Sequence, residues 1–201
     1  MIFCSSKNPV PKPIRLEKFV TKKDCLNIIE RTTGFSRSET ISSKNKIVYD
    51  PMQRMSKTKF TTSMDSSSHA KVIRDVNKYM MDSYGVYKSN MQVTKYDKND
   101  FFKLHTDALK EHQIPLFGEQ RLWTVILYLN DDFKGGQTCF PYIQEIYYPR
   151  QGDIIMWPNV DENMKIHENL KHKGMTVLDG TKYIAVFLFY NKLTYHKNNE
   201  K

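Results

Sequence analysis

With 201 residues, 39% of them hydrophobic and including 12 Tyr, 11 Phe and 2 Trp, the chain has the material for one packed core, and no second catalytic domain is expected. Its formal net charge of +9 permits acidic partners, nucleic acid among them; the lysines are scattered and Lys22-Lys23 is the densest pair near the start, so a solvated basic surface is favoured instead. Cys4, Cys25 and Cys139 form an odd set without paired spacing, which argues against a disulfide framework and a Cys-held zinc, and no stretch approaches the length of a membrane span.

In chain order, Met1 to Lys7 lacks the apolar core of a signal peptide, so the cytoplasm or another reducing compartment is expected. Pro9, Pro11 and Pro13 predict an extended opening segment. Thr21 then reads as an N-cap with Asp24 at the third helical position, and Cys25, Leu26, Ile28 and Ile29 as the apolar face of a helix through about residue 32. Residues 36–66 are rich in Ser, Thr, Lys and Met and predict a long irregular excursion, with a short strand at Ile47-Val48-Tyr49 that Pro51 interrupts. Ser66 to Ser68 can cap a second helix, in which Val72, Ile73, Val76, Tyr79, Met80 and Tyr84 recur at helical spacing and which Gly85 ends. Those Met and Tyr residues read as core packing.

From residue 91 the pattern changes to strands. They are expected at 92–96, 101–106, 122–129, 138–140, 145–148, 153–157, 165–172, 176–178 and 182–190, with turns at Asp97–Asp100, Asn130-Asp131-Asp132 and Gly135-Gly136. The fold class is therefore mainly β with supporting N-terminal helices. One domain is expected over 1–201, with helical support and a variable loop in 1–90 and the β core in 91–192.

His105-Thr106-Asp107 is the first chemical signal. In an extended chain, side chains two apart lie on the same side, so this pair can hold one cation. A third ligand from another strand would complete the two-histidine, one-carboxylate set that suits non-haem Fe(II). An H-x-D pair by itself is weak, because a surface His beside an Asp is common. His112, His167 and His172 are the candidates for the third ligand. His112 lies in a polar loop. His167 and His172 are five apart and would face opposite sides of a regular strand, so one of them should face the metal.

Ten residues after His172 stands Lys182, with Gly180 two before it. Together with His105-x-Asp107, this resembles the collagen-type prolyl 4-hydroxylase family of 2-oxoglutarate oxygenases, whose motif is H-x-D, a distal His and a Lys ten residues later. Gln92-Val93-x-x-Tyr96, Arg121-x-x-Thr124-x-x-x-Tyr128-Leu129-Asn130, Gly135-Gly136-Gln137-Thr138-x-Phe140-Pro141 and Pro149-x-x-Gly152-Asp153 resemble further segments of that family, and Phe19-Val20-Thr21-x-x-Asp24-Cys25 its opening helix more loosely. The resemblance implies a double-stranded β-helix (jelly-roll) core. It implies Fe(II) on His105, Asp107 and His172, the distal carboxylate of 2-oxoglutarate on Lys182, Tyr96 and Thr138, and a peptide contact at Arg121. It also implies O2 as co-reactant, ascorbate as reductant, succinate as by-product, and a proline-containing peptide or protein as substrate. Lysyl hydroxylases, oxygen-sensing prolyl hydroxylases and nucleic-acid demethylases of the superfamily usually carry Arg where Lys182 stands.

Three positions depart from the pattern. Gln137 stands for the usual Glu, Tyr183 for the Trp after the Lys, and Leu188 where the family can carry a substrate-facing Trp. The metal and cosubstrate positions are complete, whereas the substrate surface is altered. The same oxygenase chemistry on a nucleic acid or small molecule, and a non-catalytic binding module of the same fold, are the alternatives. The lack of a signal peptide and the Lys/Asn-rich composition fit a microbial or viral source.

Overall fold

The computed structural model describes residues 11–42, 46–86, 89–114 and 119–190. Cys4, Pro9 and both chain termini lie outside them. The described residues form β1 (Ile14–Leu16), α1 (Lys22–Arg31), β2 (Ser36–Arg37), β3 (Thr40–Ile41), β4 (Ile47–Val48), β5 (Arg54–Met55), β6 (Lys57–Thr61), α2 (Ser67–Tyr84), β7 (Met91–Tyr96) and β8 (Phe101–His105). There follow β9 (Arg121–Tyr128), β10 (Lys134–Gly135), β11 (Thr138–Phe140), β12 (Glu145–Tyr147), β13 (Ile154–Pro158), β14 (His172–Gly174), β15 (Val177–Asp179) and β16 (Lys182–Tyr190). A seven-stranded sheet in the order β1-β13-β9-β16-β7-β6-β2 faces a five-stranded sheet in the order β12-β11-β14-β8-β5, and neighbouring strands pair antiparallel. This is the jelly roll that the family resemblance implies, built on the antiparallel strands that the pattern predicts.

Period-two alternation sorts the central strands into two cores. Val125 and Leu127 of β9, Ile154 and Met156 of β13, and Ala185 and Phe187 of β16 pack outward with Ile28, Val72, Val76 and Met80 of the helices. Ile126 and Tyr128, Ile155 and Trp157, and Ile184 point inward and meet Phe140, Leu170 and Val177 of the opposite layer. Each fully buried aliphatic or aromatic side chain contributes about 1.5–3 kcal/mol, so the helices stabilise the sheet from outside while the inner face is left to the site.

Both helix ends follow the sequence. Thr21 Oγ1 accepts from Asp24 N–H at 3.1 Å, Ser66 caps α2 through His69 N–H, and Gly85 ends α2 in the left-handed region at φ 64°. Two expectations are corrected. Residues 36–66 are not an irregular excursion: β6 lies in the large sheet, β5 edges the small one, and β3 pairs with β4. The segment hides this because its inward residues are hydroxyls; Ser38, Ser56 and Thr58 hydrogen bond to one another in place of an apolar stripe. Nor do residues 165–172 form one strand. Ile166 makes an isolated bridge to Val160, a 3-10 turn occupies Glu168–Leu170, and β14 starts at His172.

Candidate metal centre

β8 and β14 are neighbours, and their register places His172 directly opposite His105. Asp107 follows two residues past His105, beyond the end of β8, and turns its carboxylate between the two imidazoles. His105 Nε2 lies 3.5 Å from Asp107 Oδ1, and His172 Nε2 lies 3.5 Å from Oδ2. One ligand atom from each of the three residues falls within 4.8 Å of the others. His167 stands half-buried ahead of the 3-10 turn and His112 is exposed on Glu111–Gln113; neither joins this cluster.

Backbone carbonyls fix the tautomers. His105 Nδ1 is 2.7 Å from Lys103 O, and His172 Nδ1 is 3.1 Å from Leu170 O. A carbonyl can only accept, so each Nδ1 carries a hydrogen and, in the neutral ring, each Nε2 is left as a lone pair on the Asp107 side. Burial, then the neighbouring His105, pushes His172 down to about 4, which keeps it a neutral donor at neutral pH. Burial by itself would raise the Asp107 carboxyl. The positive charge of His172 and His105 in their protonated forms, with the Thr124 hydroxyl that donates to Oδ2 at 2.8 Å, outweighs it and holds that carboxyl well below the usual range. Aromatic rings pack around the pair. Phe102 stacks on His105 at 3.6 Å between centroids, and Trp157 and Phe140 pack on His172 at 4.7 and 5.2 Å.

Lys182, only 3% exposed, opens β16 on the inner face, paired with Tyr96 across to β7. Its Nζ lies 5.3 Å from the Tyr96 ring centroid and 5.9 Å from that of Tyr128, and donates to Gly136 O at 2.6 Å. Gly136 sits at φ 67°, a left-handed conformation that favours glycine, and a Cβ there would come within 2.9 Å of Phe133 Cε2 and 3.1 Å of Lys182 Cδ. Burial lowers the Lys182 ammonium to about 7. A buried ammonium costs several kcal/mol and one hydrogen bond returns about 1.5–3, so the site is incomplete without an anion. Thr138 belongs to this pocket through the Tyr128 hydroxyl, which donates to Thr138 Oγ1 at 2.9 Å.

The chemistry of both halves suits the groups they were expected to take. Two neutral imidazoles and one carboxylate form a donor set for a divalent first-row metal, and the buried cation is a seat for a carboxylate. Arg121 is half-buried and holds the ligand segment itself, its Nη1 donating to Asp107 O at 3.2 Å. Tyr183 faces the helices and packs against Phe35, so the replacement of Trp there lies away from the cavity. Tyr128, Thr124 and Asn159 were not among the expected site residues. The alternation of β9 places Thr124 and Tyr128 on the inner face, a signal the sequence carried; Asn159, after Trp157-Pro158, carried none.

Residues 91–190 match the family model described as the 2OG-Fe(II) oxygenase superfamily. The chain is 26% identical over 197 residues to a putative prolyl 4-hydroxylase of Acanthamoeba polyphaga mimivirus, covering 93% of this chain and 77% of that one. It is 23% identical over 196 residues to a probable prolyl 4-hydroxylase of Arabidopsis thaliana, covering 86% of this chain and 66% of the plant protein. The viral collagen prolyl hydroxylase of Paramecium Bursaria Chlorella virus-1, in its 2OG complex, superposes with a TM-score of 0.70 at 20% identity over 90% of this chain and 96% of that one.

Proposed function

Because the chain belongs to the 2OG-Fe(II) oxygenase superfamily, we propose that it is a prolyl 4-hydroxylase acting on peptidyl proline. The observation that carries the cosubstrate assignment is Lys182, a buried ammonium whose hydrogen-bond partner among the described residues is the Gly136 carbonyl, on the inner face that also leads to the triad. The proline assignment rests on the mimivirus and plant relatives.

In this reading His105, Asp107 and His172 hold Fe(II) through two Nε2 atoms and one carboxylate oxygen. When bound, the metal supplies the redox chemistry that joins O2, 2-oxoglutarate and a C–H bond to give succinate, carbon dioxide and an alcohol. The protein's part is placement. Lys182 pairs with the distal carboxylate of 2-oxoglutarate, and Tyr96 and Thr138 contribute hydroxyls beside it, which orients the keto acid toward the triad. Ile126, Ile155, Ile184, Phe140 and Trp157 line the same interior and exclude water. Arg121 contacts the peptide from its place beside Asp107, and ascorbate serves as reductant.

We take residues 1–201 as one domain, since the helices complete the core of the sheet they cover. We also place the protein in a reducing compartment, in keeping with Cys25 and Cys139, both buried free thiols. No helix among the described residues is long and apolar enough to cross a membrane.

The test is incubation of the purified protein with Fe(II), ascorbate, 2-oxoglutarate and a panel of proline-rich peptides. A peptide mass gain of one oxygen with matching succinate is the expected result. Absence of 2-oxoglutarate turnover under every condition overturns the enzyme. Turnover with no peptide oxidised moves the substrate to a small molecule or, if activity falls steeply with salt, to the nucleic acid that a net charge of +9 allows.

A further inference from the structure

Asp107 is the triad ligand without a ring to be stacked or a backbone carbonyl to fix its tautomer, and its two oxygens are chemically equivalent. The structure nevertheless makes them different. Thr124, 1% exposed on the inner face of β9, donates its hydroxyl to Oδ2 at 2.8 Å. Asn159, 3% exposed just past β13, places Nδ2 2.9 Å from the same Thr124 oxygen. An amide nitrogen can only donate, so the Thr124 oxygen must accept from Asn159, and its one hydrogen is directed to the carboxylate. Asn159 is itself fixed by its backbone, which donates to Leu122 O at 2.7 Å and accepts from His167 N–H at 3.0 Å.

We propose that Asn159 and Thr124 are positioning residues for the metal: a one-way hydrogen-bond relay that occupies Oδ2 of Asp107 and leaves Oδ1 as the single oxygen offered to the ion. A carboxylate free to rotate would also bind through both oxygens and close a coordination position that the keto acid or O2 requires. The inference rests on the metal reading above and deepens it. It also gives His167 a role away from the ion, as a backbone anchor for Asn159 through its N–H.

The test compares wild type with Thr124→Ser, Thr124→Val, Asn159→Ala and the Thr124→Val/Asn159→Ala double variant. Mn(II) affinity is measured by calorimetry without cosubstrate, the Co(II) absorption spectrum reports coordination, and thermal unfolding of the metal-free proteins is recorded alongside. Partners of metal ligands typically contribute 10–100-fold to metal affinity. Thr124→Val, which keeps the volume, should weaken Mn(II) by roughly that factor and alter the Co(II) spectrum, while Thr124→Ser keeps both near wild type. Asn159→Ala should weaken Mn(II) less, and the double variant should be no worse than Thr124→Val, because Asn159 acts through the hydroxyl. If Asn159→Ala fails to fold, the Thr124 pair still decides. Tight wild-type binding with Thr124→Val unchanged, or additive losses in the double variant, overturns the relay. Wild type that takes up no Mn(II) or Co(II) overturns the metal reading and the relay with it.

Discussion

The two faces of the seven-stranded sheet come from the same strands and the same alternation, yet they do opposite things with burial. Outward, Val125, Leu127, Leu129, Ala185 and Phe187 are fully buried and wholly apolar, sealed by α1 and α2. Inward, Thr124, Tyr128 and Lys182 are buried to nearly the same degree but polar, and their groups point at the triad or at each other. One face spends its burial on stability; the other accepts an energetic penalty to hold charge and hydroxyls in fixed places. Substitutions on the two faces should therefore separate stability from binding.

The largest effect is expected at the centre of the inner face. His172→Ala should abolish metal uptake and 2-oxoglutarate turnover while the protein stays folded, and His167→Ala should largely spare both. Metal calorimetry and a succinate assay decide it, and the reverse ranking would remove His172 from the ligand set.

Next comes a pair with opposite signs. Leu127→Ala on the outer face should cost about 2–5 kcal/mol in urea unfolding. It should leave the 2-oxoglutarate affinity of the folded protein unchanged. Lys182→Met on the inner face should do the contrary: it removes a buried cation with no counter-ion among the described residues and should stabilise the cosubstrate-free protein by about 1–4 kcal/mol at a pH below 7. Binding of 2-oxoglutarate should be lost in the same variant. Destabilisation by Lys182→Met would mean that the ammonium has a partner the inner face does not show.

How much of this was legible in the sequence follows the same division. The outer face was easy to read, because α1 and α2 carry apolar residues at helical spacing and are bounded by Thr21, Ser66 and Gly85, each satisfying a specific backbone need. The triad and Lys182 were legible through spacing set against a family pattern; His105-x-Asp107 by itself meant little. The polar inner face was not. Arg54 donates to Ser56 Oγ at 2.8 Å, and Ser38, Ser56 and Thr58 bury their hydroxyls against each other, so strands there show no apolar alternation and read as loop. Thr124 was placed on the inner face by the alternation of β9, but its link to Asn159 was not legible, because a hydrogen bond across 35 residues leaves no local mark.

A pH experiment sharpens the inner face further. Burial holds Lys182 at about 7 in the folded protein against an ordinary 10.5. The unfolded chain keeps this proton up to the higher value, so between the two the unfolded state binds more protons and the contribution to stability rises with pH. A bound carboxylate favours the ammonium and pulls its pKa back up. Binding above about 7 therefore takes up a proton, and 2-oxoglutarate affinity should fall roughly tenfold per pH unit there. Lys182→Arg, always charged, should bind with a flat profile. An equally flat wild-type profile would mean the ammonium stays protonated without its guest.

The smallest effect belongs to the outer layer, where one charge does matter. Asp24 joins α1 to α2: Lys71 Nζ is 2.6 Å from its Oδ2, Ser68 donates to its Oδ1 at 2.8 Å, and Thr21 Oγ1 donates to its Oδ2 at 2.8 Å. Led by the Lys71 contact, these partners outweigh burial and lower the carboxyl from 3.8 to about 2. A depressed carboxyl stabilises the fold above its unfolded value and loses that contribution as pH falls through the folded one, so the window runs from about 4 down to about 2. Lys71 is 44% exposed, which screens the pair and leaves about 1 kcal/mol for Asp24→Asn at neutral pH. The gap between wild type and variant should shrink in high salt and close toward pH 2. A gap that survives both would assign the effect to the hydroxyl partners Ser68 and Thr21, and make the helix contact a matter of hydrogen-bond geometry instead of charge.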